Sequence, residues 1–473
     1  MVVLCEKFKY LVEDSRPTLY RALKYWGKKP HNIWRELIYA NTNVGDIVFD
    51  PFAGSAMTFF ESIKIGRKPV VSDINPLTLF LIEVYSKDYN YKKIVNRYQE
   101  IEKIVNNQKV YTKNYRTKCS NCGKFVDIYN YRNQKNHPFA FSYKCEHCKS
   151  IITDKNIKDE YIVKTNFWKP SKQIDNYSSV CEASLKAFGG CDISNIWSNR
   201  NLEILACIFD LIKSSDEDIK NALMFAFLQT LHLTTKMCAL RSEKTNRPLS
   251  TSWGRPAFMY LSKSMEQNPL IQFKRALFEK NGVIKALESR KSYLPTYTYS
   301  TNINDLDKVD GIVCIKDSKQ MKNFRADFII TDPPYGSIIQ YGELSSLWNI
   351  WLENFDDKYK INLDDEIIVK KDCNYFKYMQ DMDKVFSNCF DILADNGKMI
   401  LTFNSNNEKD WECINSIINN SRFDFIMKYC QKNKRSSEAN VNIVSDLGNS
   451  DYYFVLEKSK IANANKDKEL LAI

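Results

Sequence analysis

Apolar strands and amphipathic helices alternate at the start of the chain. Apolar residues recur at helical spacing around Ile33–Ala40, and Asp46–Asp50 follows as a short apolar strand that ends at a turn containing proline and glycine. An amphipathic helix is predicted over Ala56–Ile65 and a second strand over Pro69–Asp73. Strand, helix and strand at this spacing predict a βαβ unit in a parallel sheet.

The pattern changes from about residue 95. A segment rich in Lys and Asn precedes a helical pattern over Asn199–Leu233, which breaks at Ser214–Glu217. Ser215 and Asp218 fit a capping box at this break, so the region predicts a helical hairpin. A polar loop follows over Arg241–Arg255, and the stretch to about residue 305 shows no clear periodicity.

Strand and helix alternate again in the last third of the chain. Asp327–Thr331 is predicted as a strand that stops at a double proline, and Glu343–Glu353 and Tyr378–Leu393 are predicted helices. Asn396–Gly397 is expected to turn the chain into a further strand. The last predicted strands are Lys398–Phe403, Phe423–Tyr429 and Tyr452–Glu457. The sequence therefore predicts an α/β, Rossmann-like sheet interrupted by an insertion of some two hundred residues.

Length and composition indicate how many cores the chain can form, where the protein is located and which partners it can have. A chain of 473 residues with 44% hydrophobic positions can bury two or three cores. Charge at Glu6 and Lys7 comes too early for a secretory signal, and Leu202–Ile212 and Ala222–Leu233 are too short and interrupted to cross a bilayer. We therefore expect a soluble, cytoplasmic protein without a membrane partner. The net charge of +11 raises the odds of a nucleic-acid partner only slightly.

Two Cys-x-x-Cys pairs stand out among the fourteen cysteines. Cytosolic thiols stay reduced, so this spacing points to a metal rather than to disulfides. A structural zinc ion on a two-knuckle ribbon, about residues 115–152, is expected to take four thiolates. The alternatives are merely reduced cysteines, or His147 as a competing ligand. The predicted ligands are Cys119, Cys122, Cys145 and Cys148.

The tetrapeptide Asp332-Pro333-Pro334-Tyr335 carries the most specific chemistry. An exocyclic base amine is a poor nucleophile, because its lone pair is delocalised into the ring. The Asp332 carboxylate and a main-chain carbonyl fixed by the prolines could accept both N–H bonds and direct the lone pair at a methyl donor. Tyr335 offers a face on which an extruded base could stack. The bland alternative is a proline turn that caps a strand.

A second group of residues is suited to bind a nucleoside cofactor. A glycine turn straight after a strand lets the backbone approach a ligand closely, and the following helix contributes a positive N-terminus. Asp73, at the end of the next strand, could accept ribose hydroxyls, with Ile74 beside it. Asp317 could close the adenine end of the pocket, although a plain polar loop is as good an interpretation. The turn residues are Asp50, Pro51, Phe52, Ala53, Gly54 and Ser55.

These motifs resemble those of the adenine-N6 and cytosine-N4 amino-methyltransferases of DNA. Asp332–Tyr335 resembles the catalytic motif of that family, and Asp50–Ser55 resembles its S-adenosylmethionine motif. Trp26–His31 is similar to the segment that contacts the methionine end of the cofactor, which implies that Lys29, Pro30 and His31 bind it. The family usually has Gly and then Thr after this turn, whereas this chain has Ala56 and Met57. If position 56 needs a positive φ, alanine would weaken cofactor binding.

The resemblance implies methyl transfer from S-adenosylmethionine to adenine N6 in double-stranded DNA, because Asp opens the tetrapeptide in the adenine enzymes. The alternatives are a cytosine-N4 enzyme, an RNA methyltransferase and a non-catalytic DNA-binding protein. A restriction nuclease or defence-system partner is implied by resemblance alone. The expected parts are a cofactor part (residues 1–95), a target-recognition insertion (96–305, helical over 199–233), a catalytic part (306–460) and a tail (461–473).

Three further features can be explained either by function or by ordinary packing and solvation. The loop Arg241–Arg255 could position DNA through its arginines and Trp253, or could simply pack on the sheet. The basic stretch Lys428–Arg435 is more typical of a solvated face than of a specific site. His232 lies on an apolar helical face and is expected to be a core residue.

Overall fold

The structure is a computed structural model, and the strands of its described residues form two sheets. The described residues are 11–135, 137–173, 185–240, 242, 249–250, 258, 261–336, 339–369, 374–405, 407–432 and 450–458. The strands are β1 Ile47–Asp50, β2 Lys68–Asp73, β3 Arg116–Lys118, β4 Phe125–Gln134, β5 His137–Cys145, β6 Ser150–Asp154, β7 Cys238–Ala239, β8 Leu249–Ser250, β9 Lys263–Gln267, β10 Tyr299–Ser300, β11 Gly311–Ile315, β12 Ala326–Thr331, β13 Leu393–Phe403, β14 Asp424–Lys432 and β15 Ser450–Glu457.

The larger sheet has the order β10-β11-β2-β1-β12-β13-β15-β14. All its neighbours pair in parallel up to β13, while β15 runs antiparallel to both β13 and β14. The chain passes from β1 to β2 on one side and later places β12 on the other side of β1. Open α/β sheets bind ligands at the carboxyl edge where the strand order reverses in this way. The sheet thus confirms the predicted mixed α/β class.

Helices cover the faces of this sheet, and further helices lie in the insertion together with its strands. Parallel strands need both faces buried, and β1 and β12 accordingly carry mostly buried apolar residues, apart from the exposed Asp327 near the start of β12. No helix of the described residues is long and apolar enough to cross a bilayer. The helices are Thr18–Arg21, His31–Asn41, Met57–Lys64, Leu77–Ser86, Tyr91–Asn107, Lys109–Asn114, Asn199–Lys213, Glu217–Leu233, Pro269–Phe278, Val283–Tyr293, Tyr341–Phe355, Tyr375–Ile392 and Glu408–Asn420.

The second sheet lies wholly within the segment between β2 and β10. Its order is β6-β5-β4-β9-β7-β8, and β3 pairs with the first three residues of β4, before the stretch that pairs with β5 and β9. Helices Asn199–Lys213 and Glu217–Leu233 confirm the predicted hairpin. Because β10 already pairs with β11, the larger sheet resumes at Tyr299.

Two local predictions were wrong. Asp216 rather than Ser215 is the N-cap of the second helix, since the Ser215 hydroxyl donates back to the Leu211 carbonyl at 2.8 Å. Asn396 and Gly397 do not end a turn but lie in a bulge of the long strand β13, with Asn396 at φ 61°. Asn tolerates this left-handed conformation, which allows the strand to continue through the irregularity.

Candidate active site

The carboxyl ends of β1, β2 and β12 border an open cavity. This position at the reversal of strand order is where ligands bind in such sheets. Of the predicted site residues, Pro30, His31, Pro333 and Tyr335 do not belong to its wall. The predicted residues that do are Lys29, Asp50, Pro51, Phe52, Ala53, Gly54, Ser55, Asp73, Ile74, Asp317, Asp332 and Pro334.

Asp50 joins the first turn to the strand that carries the tetrapeptide. Its carboxylate accepts hydrogen bonds from the Phe52 N–H at 3.0 Å, the Thr331 hydroxyl at 2.7 Å and the Thr58 hydroxyl. Burial raises the pKa of Asp50 to about 7, against the lowering effect of these three donors. The side chain therefore fixes the turn, β12 and the helix that begins at Met57 relative to one another.

Asp73 fixes the same turn from the neighbouring strand. The Gly54 N–H donates to Asp73 Oδ2 at 2.6 Å, and the Asn75 N–H donates to Oδ1 at 2.8 Å. Burial raises the pKa of Asp73 to about 6, although these backbone donors favour the ionised form. Each oxygen keeps capacity for a further donor, so the carboxylate can still accept a ligand hydroxyl in the cavity.

Ala56 adopts the conformation that glycine would favour. Its φ is 60° and ψ 25°, and it is fully buried at the start of the helix Met57–Lys64. A left-handed alanine costs roughly 1–2 kcal/mol. The Ala53 carbonyl accepts from the Ala56 N–H at 2.9 Å, so the tight turn is nevertheless closed. The departure from the family pattern thus occupies a position that does require positive φ.

The carboxylate of Asp332 is bound through one of its two oxygens. Oδ1 accepts from the Thr402 hydroxyl at 2.7 Å and from the Tyr335 hydroxyl, and Lys29 Nζ lies 3.2 Å away. Among the described residues no hydrogen bond reaches Oδ2. Burial raises the pKa of Asp332, while Lys29 and the hydroxyl donors lower it.

The rest of the tetrapeptide is held by its neighbours. The Tyr378 hydroxyl donates to the Pro334 carbonyl at 2.8 Å, whereas no donor among the described residues reaches the Pro333 carbonyl. The ring of Tyr335 packs against Phe403 with centroids 4.8 Å apart and an angle of 61°. Among the described residues, no donor therefore occupies Asp332 Oδ2 or the Pro333 carbonyl, so both can accept from a ligand.

The segment before the first long helix enters the cavity only in part. Lys29 lies in the wall, but His31 begins the helix His31–Asn41 behind it, against the rings of Tyr20 and Tyr293 at 5.7 and 6.2 Å. Burial lowers the pKa of His31 to about 4, with help from Arg35 and other cations. A neutral histidine in this aromatic environment is typical of a packing residue.

Asp317 closes another side of the cavity. It caps a short 3₁₀ turn by accepting from the Lys319 N–H at 2.9 Å. The adjacent Ser318 hydroxyl donates to the Pro51 carbonyl, which ties this turn to the first one.

Several wall residues could not be found from the sequence. Tyr25 and Tyr341 stack with centroids 6.0 Å apart, although they are far apart in the chain. Glu366 accepts from the Gly342 N–H at 2.7 Å. No local motif marks Tyr25 or Glu366, because only the tertiary fold brings their loops to the cavity. The missed wall residues are Tyr25, Trp34, Met57, Thr58, Asn75, Asp365, Glu366 and Ile367.

The four predicted zinc ligands form one cluster at the tip of the second sheet. Their sulfur atoms all lie within 4.8 Å of one another, with Cys119–Cys148 at 3.9 Å and Cys122–Cys145 at 3.6 Å. Tetrahedral Zn–S bonds of about 2.3 Å imply S–S distances of about 3.8 Å. The cluster can therefore hold a zinc ion, while His147 is exposed and not part of it.

His232 and Lys428 are among the described residues, whereas most of the loop Arg241–Arg255 is not. His232 is 4% exposed, as expected of a core residue. Lys428 lies over the rings of Trp411 and Tyr452 at 5.9 and 5.6 Å, whereas the rest of the basic stretch, from residue 433 to Arg435, lies outside the described residues. In the loop predicted to position DNA, Arg241, Arg247, Ser252, Trp253 and Arg255 lie outside them as well.

Comparisons with known proteins relate this chain to DNA methyltransferases. A family model of N6/N4 type, described as DNA methylase, matches residues 10–83. The type II methyltransferase M.MjaII of Methanocaldococcus jannaschii is 24% identical over 67% of this chain and 59% of its own. The DNA adenine methyltransferase YhdJ of Escherichia coli is 37% identical over 15% of this chain and 21% of its own. The chain therefore spans less than two-thirds of each curated relative.

Among solved structures, the N-methyltransferase NodS of Bradyrhizobium japonicum, in complex with S-adenosyl-L-homocysteine, matches 38% of this chain and 63% of its own. The sequence identity is 9% and the TM-score 0.19. The family model and the curated relatives support the predicted resemblance to the adenine-N6/cytosine-N4 group of DNA amino-methyltransferases.

Proposed function

We propose that this protein belongs to the adenine-N6/cytosine-N4 family and transfers a methyl group from S-adenosylmethionine to adenine N6 in double-stranded DNA. The observation that carries the proposal is the pair of available acceptors, Asp332 Oδ2 and the Pro333 carbonyl, beside a cavity bordered by Asp50, Gly54 and Asp73. An acceptor pair suits an amine with two N–H bonds, and the cavity suits a nucleoside.

The residues around the cavity fit S-adenosylmethionine. A β-carbon on Gly54, whose φ is 48°, would come within 3.2 Å of the Tyr25 ring, so the turn presents bare backbone to a ligand. Asp73 offers a carboxylate for ribose hydroxyls at the end of β2. Phe52, Ile74 and Ile367 supply apolar surface. Binding sites of this kind combine apolar walls with a few placed polar groups.

S-adenosylmethionine would be held by the walls of this cavity and would supply an electrophilic methyl group on a positively charged sulfur. Transfer to the amine would leave S-adenosylhomocysteine, and the displaced amine proton would be lost to solvent. Asp332 Oδ2 and the Pro333 carbonyl would accept the two amine N–H bonds and direct the nitrogen lone pair. They would also stabilise the positive charge that develops on the nitrogen. The half-buried ring of Tyr335, packed on Phe403, would support the extruded base.

The finer parts of the proposal have separate grounds. Adenine is favoured over cytosine because Asp332 opens the tetrapeptide, a resemblance to the adenine enzymes. The segment 96–305 would recognise the target, with a structural zinc ion on Cys119, Cys122, Cys145 and Cys148. A restriction or defence partner rests on the same resemblance, while a cytoplasmic location rests on the sequence pattern.

The test is transfer of a tritiated methyl group to duplex DNA, followed by digestion and identification of the methylated nucleoside. We expect N6-methyladenine from the wild-type protein and from Asp395→Ala, whose carboxylate is exposed and outside the cavity. Asp332→Ala should bind the donor and lose transfer by a factor of about 10² or more.

Each alternative gives a different result in this assay. N4-methylcytosine would replace the adenine assignment, and incorporation only into tRNA or rRNA would favour an RNA enzyme. No incorporation into any nucleic acid, together with no donor binding by calorimetry, would contradict the proposed activity and leave a non-catalytic DNA-binding protein.

A further inference from the structure

Lys29 is buried between two carboxylates rather than free in the cofactor cavity. Its ammonium donates to the Tyr335 hydroxyl at 2.7 Å and lies 3.2 Å from Asp332 Oδ1 and 3.3 Å from Asp451 Oδ1. The side chain is only 9% exposed. A buried lysine is costly unless it is paired, and here two acids compensate it.

The contact with Lys29 divides the two oxygens of Asp332. Oδ1 receives Lys29, the Thr402 hydroxyl and the Tyr335 hydroxyl. A carboxylate oxygen has about two lone-pair sites, so Oδ1 has no capacity left for a substrate. Oδ2, which has no hydrogen bond among the described residues, then becomes the oxygen that can accept an amine N–H.

We propose that Lys29 is a positioning residue that orients the Asp332 carboxylate toward the target amine, with Asp451 holding Lys29 in place from the neighbouring strand β15. This inference rests on the proposed function, because it names what aligns the acceptor used there. It differs from the role that resemblance implies for Lys29, which is contact with the cofactor.

Asp451 is placed to limit where Lys29 can go. It stands at the start of β15, whose neighbour Tyr452 pairs with Phe403 of β13, one residue beyond Thr402. Asp451 is 7% exposed, and its oppositely charged carboxylate holds the ammonium, with Oδ1 3.3 Å from Lys29 Nζ. Thr402 and Asp451 thus act on the Asp332–Lys29 pair from two adjacent strands.

The charges around Asp332 determine the direction in which its pKa should shift when Lys29 or Asp451 is replaced. The groups that face it are Lys29, Asp451, Tyr335, Tyr341 and Tyr453. Burial raises the pKa of Asp332, Lys29 lowers it and Asp451 raises it. Only the ionised carboxylate accepts through both oxygens. Loss of Lys29 should therefore move the acidic limb of the rate profile to higher pH, and loss of the Asp451 charge should move it to lower pH.

The experiment compares Lys29→Met, Lys29→Arg and Asp451→Asn with the wild-type protein. Lys308→Met is the matched control, because Lys308 is 75% exposed and, within the part of the chain that the structure describes, pairs only with Asp305 at 3.1 Å. Donor affinity is measured by calorimetry, kcat and KM for duplex DNA are measured from pH 5.5 to 9, and folding is checked by thermal unfolding.

We expect Lys29→Met to bind S-adenosylmethionine within about threefold of the wild-type protein and to lose about a hundredfold in kcat, as misplacement of a reacting group does. Its acidic limb should lie at higher pH. Lys29→Arg should restore part of kcat, and Asp451→Asn should shift the limb in the opposite direction. Weakened donor binding with kcat unchanged at saturating donor would overturn the inference and assign Lys29 to the cofactor.

A titration independent of turnover separates this inference from the proposed function. The Asp332 carboxyl carbon, assigned by difference from Asp332→Asn, is followed by ¹³C NMR after Asp labelling. Lys29→Met must raise the pKa of Asp332. An unchanged pKa of Asp332 would refute the inference even in an active enzyme. A raised pKa in a protein that methylates no DNA would support the positioning role of Lys29 and refute only the proposed activity.

Discussion

Gly336 packs its backbone directly against the carboxylate of Asp410. A β-carbon at position 336 would overlap Asp410 Oδ1, and the φ of 53° is itself unfavourable for other residues. The carboxylate cannot easily move, since the Tyr375 and Ser405 hydroxyls donate to its two oxygens at 2.9 and 2.7 Å. The residue that follows the tetrapeptide is therefore fixed in place by a buried acid.

Gly336→Ala should displace the tetrapeptide and destabilise the fold. Backbone strain and overpacking together should lower the free energy of unfolding by about 2 kcal/mol or more, and methyl transfer should be largely lost. Gly45→Ala is the matched control, because its φ is 88° and nothing lies within 4 Å of the new β-carbon. It should cost about 1–2 kcal/mol and leave transfer unchanged. Urea unfolding and the tritium assay measure both; equal losses of transfer in the two variants would contradict the packing argument.

Tyr378→Phe should impair alignment of the tetrapeptide more than it impairs stability. The change removes the 2.8 Å hydrogen bond to the Pro334 carbonyl and should cost about 1 kcal/mol of unfolding free energy. We expect kcat to fall about tenfold, equivalent to about 1.4 kcal/mol, with donor affinity unchanged. Tyr297→Phe removes an equivalent bond, at 2.8 Å to the Ile82 carbonyl, away from the cavity. Its kcat should match the wild-type value, and a similar loss there would make the effect a general one of stability.

Donor affinity should weaken as the pH falls through about 6. Burial raises the pKa of Asp73 to about 6, and only its ionised form accepts ligand hydroxyls through both oxygens. Binding should therefore be strongest above pH 7 and weaken toward pH 5, as followed by calorimetry. Asp73→Asn should remove the change in donor affinity near pH 6. A change near pH 7, caused by titration of Asp50, whose pKa is about 7, should remain. An unaltered pH dependence in Asp73→Asn would show that Asp73 does not contact the donor.

The raised pKa of Asp50 also affects stability, with a defined sign. A carboxyl whose folded pKa exceeds its unfolded value stabilises the fold while protonated, and that contribution is lost as the pH rises from about 4 through about 7.

Removal of one thiolate should release a bound zinc ion. Cys145→Ser is expected to abolish a stoichiometric zinc content and to lower the stability of the second sheet, because structural zinc contributes folding free energy. Cys191→Ser, a half-buried cysteine outside the cluster, should keep the metal. Elemental analysis of dialysed protein gives the result. A wild-type protein purified from zinc-supplemented cells without metal would contradict the assignment.

Short-range patterns predicted most of the larger sheet. The strands that end at Asp50, Asp73 and Thr331 lie where apolar runs meet turn residues, and the helical hairpin breaks near Ser214 as expected. The capping box failed because Ser215 bonds back to Leu211, an alternative that the spacing of Ser215 and Asp218 does not exclude. The pair of helices over 269–293 was not predicted, because no clear helical periodicity was recognised in the stretch that contains them.

The sequence by itself determined the chemistry at each strand end: a carboxylate followed by two prolines, a glycine turn and two pairs of thiols. These are local properties, because bond geometry and hydrogen-bonding capacity belong to the residues themselves. Only the tertiary structure decided the partners of these groups. Lys29 lies beside Asp332, Asp410 against Gly336 and Tyr378 on Pro334 because strands and helices distant in sequence pack together, and burial, which sets the pKa values of the carboxyls, exists only once they have done so.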